Sequence, residues 1–79
     1  MSNNGKSPKS AAIEKFRARE NMIGTSFDLG SPAVVEASAL TPLDWCVLDW
    51  EHALWNATTL PAAIQALKDS PMLSIVRVP

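Results

Sequence analysis

Three short apolar runs, residues 22–27, Trp45–Asp49 and residues 72–78, are separated by two stretches of ten-odd residues with helical character. Strands alternating with single helices are the mark of βαβ units. Such units build a parallel sheet whose crossovers are right-handed. A further segment of good helix formers, residues 11–20, precedes the first run, with Ile13 and Phe16 on one face and Ser10 as a candidate N-cap. The expected order is therefore α-β-α-β-α-β. Ser31-Pro32 starts the second helix, serine as cap and proline in the first turn. Thr58 or Thr59 starts the third, whose Leu60, Ala63, Ile64 and Leu67 share one face. Gly24 within the first run marks a close approach by another group.

The middle run ends abruptly. Asp44-Trp45-Cys46-Val47-Leu48-Asp49-Trp50-Glu51-His52 passes from buried-strand composition into two carboxylates and the only histidine. In parallel α/β folds the carboxyl ends of the strands form the edge where chemistry is done. All three strands point the same way, so Asp49, Glu51 and His52 at one strand end lie on the same edge as Arg77 at the next. An Asp three residues before a His can orient its imidazole for acid–base work, with His52 moving the proton and Asp49 fixing the ring; equally, both can be solvated loop residues. Arg77 sits between Val76 and Val78, and its guanidinium must reach an anion or the sheet rim. It reads either as an anchor for a carboxylate or enolate oxygen, or as a salt bridge to Glu51, Asp49 or Asp69. Trp45 is expected in the core, whereas Trp50 and Trp55 line a pocket or cover the loop.

Composition narrows the rest. At 79 residues with one cysteine, the chain has no internal disulfide and no Cys/His zinc cluster. Cys46 reads as an inert core residue. The net charge of -1 hides a basic N-terminal part, Lys6, Lys9, Lys15, Arg17 and Arg19, interrupted by Glu14 and Glu20. Without interleaved aromatics or a glycine-rich phosphate loop, this is a solvated lead-in rather than a nucleic-acid site. No run approaches the roughly 18 apolar residues of a membrane span, and no secretory leader is visible. The expectation is a soluble cytoplasmic protein with residues 1–10 as a flexible tail and residues 11–79 as the folded part.

Ile23-Gly24-Thr25, Ser31-Pro32 with Glu36 and Ala37, Asp44-Trp45, Leu48-Asp49-Trp50-Glu51-His52 and Val76-Arg77-Val78-Pro79 together resemble the opening of the HpcH/HpaI aldolase and citrate lyase family. The resemblance implies the N-terminal piece of a (β/α)8 TIM barrel, about two and a half of its eight units. It implies carbon–carbon lyase chemistry on 2-keto acids, giving a pyruvate-like product and an aldehyde. It also implies a divalent Mg²⁺ or Mn²⁺ cofactor and a homo-oligomer. Carried onto this sequence, His52 is the acid/base, Asp49 its partner and Arg77 the holder of the keto or enolate oxygen. Glu51 assists, and Trp50 borders the substrate where many relatives carry a small residue. Leu40-Thr41-Pro42-Leu43 also departs from the family's usual approach to Asp44. The metal-binding carboxylates of the family lie on later strands, so no metal ligand is assigned here and a fragment of this kind is expected to be inactive alone. The alternative is a non-catalytic small α/β protein, or barrel remnant, that acts by pairing its open sheet edges with a partner chain.

Overall fold

A computed structural model describes residues 7–79. Its elements are α1 (Ser10–Arg17), β1 (Gly24–Phe27), α2 (Pro32–Ser38), β2 (Trp45–Asp49), α3 (Thr59–Ala66) and β3 (Leu73–Arg77). The three strands form one parallel sheet in the order β1-β2-β3. Helix, strand and order match the expectation from periodicity, and the architecture is that of the first units of a (β/α)8 barrel.

The ends of the elements follow local chemistry. Ser31 caps α2, its Oγ accepting from the Val34 N–H at 3.3 Å, with Pro32 in the first turn. Thr58 holds the cap position of α3 but makes no side-chain cap bond. Asn56 takes over that work: its Oδ1 accepts from the N–H groups of Thr58 and Thr59 at 2.8 and 2.9 Å. Ser10 likewise is not a cap; it is the first residue of α1, and Lys9 precedes it. The helix ends at Arg17 rather than Glu20, because Arg19 turns the backbone into the left-handed region at φ 58°. Residues 1–6 of the expected tail lie outside the described residues. Within the same stretch, Lys9 is bonded through its side chain to the turn before β3.

The sheet register sorts the strand residues into two faces. Cys46 and Leu48 of β2 point one way, beside Val76 and Phe27, and α2 and α3 cover them. Val35, Cys46, Leu48, Trp55, Leu60, Ala63, Leu67 and Met72 form this core. Full burial of a leucine such as Leu48 or Leu67 contributes roughly 1.5–3 kcal/mol. Burial pushes the Cys46 thiol up to about 11, which fits its inert role. The opposite face carries Trp45, Val47 and Asp49 paired with Leu73, Ile75 and Arg77. Trp45 is therefore only half-buried: it lies over Gly24, where an added Cβ would come within 1.9 Å of the indole. Trp55 is the tryptophan in the core.

Candidate active site

The residues at the carboxyl ends of the strands are placed by the period of two along each strand. Asp49 and Arg77 stand opposite each other in register, on the face not covered by helices. Arg77 Nη2 donates to Asp49 Oδ2. The other oxygen, Oδ1, accepts the backbone N–H groups of Glu51 and His52, both at 2.9 Å. One carboxylate thus closes the turn after β2 and ties it to β3, and the Trp50 N–H donates to the Arg77 carbonyl at 2.9 Å. The Arg77 hydrogen bond, then the His52 N–H, hold the Asp49 carboxyl well below the ordinary carboxylate range. The same contact raises Arg77, with help from Glu51 and Asp28.

His52 and Glu51 stand above this pair. His52 Nε2 lies 3.2 Å from Glu51 Oε1, and Glu51 Oε1 lies 3.7 Å from Arg77 Nε. The expected Asp49–imidazole contact is not formed. Asp49 holds the backbone of His52, and the carboxylate beside its ring is Glu51, because a turn closed onto Oδ1 aims the next side chains outward. The His52 side chain is 66% exposed and that of Asp49 8%. Arg77 is a salt-bridge partner of Asp49, and its half-exposed guanidinium keeps further N–H groups for an anion. Trp50 lies at the rim, partly exposed, on the residue between Asp49 and Glu51.

Asp28, the first residue after β1, was missed in the sequence although the strand-end argument applies to it equally. It adds to the field at Arg77, and its Oδ1 accepts from Ser26 Oγ at 2.8 Å. Trp55, expected to line a pocket or cover the loop, covers the loop. Its Nε1 donates to the Phe27 carbonyl, and the Leu54 N–H donates to the Asp28 carbonyl at 3.2 Å. These bonds fold the loop after β2 over the end of β1. Gly30, at φ 70°, allows the approach: a Cβ there would meet the Leu54 carbonyl oxygen at 2.9 Å.

The residues present do not fit the divalent ion that the resemblance implies. Among the described residues no three of His, Cys, Asp and Glu gather where one ion could be held, and both oxygens of Asp49 are already taken. Among the same residues, no helix is long and apolar enough to cross a membrane.

No family model matches the chain. It is similar to the 5-keto-4-deoxy-D-glucarate aldolases of Salmonella arizonae and Salmonella newport, each 44% identical over 62 residues that make up 78% of this chain and 24% of theirs. The chain thus spans about a quarter of the length of the curated relatives it matches. In backbone it is similar to an HpcH/HpaI aldolase from Desulfitobacterium hafniense, with TM-score 0.71 and 26% identity, over 85% of this chain and 26% of that one. The citrate synthase SbnG gives TM-score 0.71 and 28% identity, over 82% and 26%. Sequence and backbone agree in likening the chain to the N-terminal portion of the HpcH/HpaI aldolases.

Proposed function

We propose that this chain supplies the acid/base and oxyanion-binding half of a 2-keto acid aldolase. The observation that carries this reading is the Asp49–Arg77 pair at the carboxyl rim of the sheet, with His52 exposed beside it. A neutral imidazole whose Nε2–H is donated to Glu51 leaves Nδ1 as the basic nitrogen. In cleavage of a 4-hydroxy-2-keto acid, His52 takes the C4 hydroxyl proton. The C3–C4 bond breaks, its electron pair moves to the C2 oxygen, and the aldehyde leaves. Arg77, fixed by Asp49, donates its remaining N–H groups to that developing enolate oxygen. The enolate regains a proton at C3 and becomes pyruvate. Glu51 holds the imidazole, and Trp50 bounds the space for the aldehyde portion. The complete enzyme acts on these small molecules as a cytoplasmic homo-oligomer, and the fragment alone is inactive. The test is pyruvate release by the complete enzyme carrying His52→Ala or Arg77→Ala. Both should lose turnover by roughly 100- to 10,000-fold; wild-type rates would remove both residues from the chemistry.

A second reading has one observation in its favour. The face bearing Trp45, Val47, Leu73 and Ile75 forms an apolar groove with Phe16 and Met22, beside open outer edges on β1 and β3 among the described residues. A chain acting through a partner's strand would bury that groove. A discrete, folded oligomer of the 79-residue chain without lyase activity would favour it.

A further inference from the structure

Among the described residues Lys9 is the one cation whose side-chain partners are all main-chain oxygens. Its Nζ donates to the carbonyl of Leu67 at 2.6 Å, and to those of Ser70 and Met72 at 2.7 Å each. An ammonium has three N–H groups, and here each has an acceptor. The acceptors lie 58 to 63 residues further along the chain, so local geometry does not impose the contact.

The cage is held by bonds that do not involve Lys9. The Ser70 N–H donates to the Leu67 carbonyl at 3.0 Å, and the Met72 N–H to Ser70 Oγ at 3.1 Å. Ser70, Met72 and Leu67 are all buried. Leu67 is the C-cap residue of α3, where the last carbonyls carry the negative end of the helix dipole. Three fixed oxygens at a dipole's negative end favour a compact cation that can donate three hydrogen bonds. A guanidinium, planar and forked, matches that convergence poorly.

We propose that the carbonyls of Leu67, Ser70 and Met72 form a binding site for a primary ammonium ion, occupied in this chain by Lys9, and that this occupancy docks α1 onto the turn between α3 and β3. The site lies at the end of the sheet opposite His52 and takes no part in the aldol chemistry.

Thermal unfolding of the full chain tests it by chemical rescue. Lys9→Ala should lower Tm by about 4–8 °C in a domain of this size. Methylammonium chloride should restore at least half of that loss in Lys9→Ala and leave the wild type unchanged. Tetramethylammonium chloride at the same ionic strength, having no N–H, should restore none. An unchanged Tm in Lys9→Ala, equal effects of the two salts, or a loss that neither reverses would overturn the proposal. Should Lys9→Ala fail to fold, the wild-type ammonium decides by NMR. A slowly exchanging Lys9 Nζ–H signal coupled to the carbonyl carbons of residues 67, 70 and 72 supports the cage. A fast-exchanging signal like that of exposed Lys68 overturns it.

Discussion

Strand β2 is bracketed by two aspartates that do the same thing for opposite purposes. At its start, Asp44 accepts from Lys15 Nζ and from the Ile23 N–H, each at 2.9 Å. Its own N–H and C=O link residues 23 and 73 at 2.7 and 2.9 Å. At its end, Asp49 accepts from Arg77 and from two N–H groups of the turn. Both carboxyls sit below their ordinary range, Asp44 through the Ile23 N–H and then Lys15, Asp49 through Arg77 and then the His52 N–H. The difference lies in what stands above each. Asp44 binds backbone and lead-in helix into a closed clamp. Asp49 spends its oxygens on positioning, leaving His52, Glu51 and part of Arg77 open. The same ion-pair chemistry thus stabilises one rim of the sheet and leaves ionisable groups exposed at the other, the division of labour expected of barrel folds.

The largest effect that could break this comparison is on turnover. In the complete enzyme, Arg77→Lys keeps the charge but loses the fork that we propose spans Asp49 and a substrate oxygen. Its pyruvate-release rate should fall by about 10- to 1,000-fold, and a near-normal rate would show that a point charge suffices. Next is Gly24→Ala at the amino rim. Its Cβ would drive into the Trp45 indole, so urea unfolding should show a loss of roughly 1–3 kcal/mol; an unchanged midpoint would mean that the indole swings clear. A third test uses acid. Because the folded carboxyl of Asp49 is depressed, its stabilisation is complete above the unfolded value of about 4 and is lost as pH falls below it. Asp49→Asn should therefore flatten the fall in Tm between about pH 5 and 2, and a profile parallel to the wild type would dissociate the pair from stability. Smallest is Lys15→Met. Lys15 is more than a third exposed, so losing its bond to Asp44 should move Tm by only a degree or two, about the worth of a surface pair. A large drop would make the amino-rim clamp depend on that single ion pair.

How much of this was legible in the residues differs between backbone and side chains. Trp45–Asp49 was bounded to the residue, because an apolar run between Pro42 and a polar loop admits few other conformations. Parallel pairing followed from helices between strands, and it brought Arg77 to Asp49. Gly24 announced a close neighbour without naming Trp45. The ring partner of His52 was not legible. Sequence spacing pointed to Asp49 as that partner, and only the turn's demand for N–H acceptors assigns Asp49 to the backbone and leaves Glu51 beside the ring. Likewise, composition placed Lys9 in a solvated lead-in, since nothing local reveals three carbonyls 58 to 63 residues away.

Turnover and Tm measured side by side for His52→Ala and Asp44→Ala in the complete enzyme test the division between the two rims most directly. His52→Ala should lose pyruvate release by at least about 100-fold while its Tm stays within a degree or two, as for an exposed side chain outside the core. Asp44→Ala should show the reverse, a clear drop in Tm with turnover retained below that temperature. Full activity in His52→Ala, or equal losses of rate in the two variants, would contradict the account.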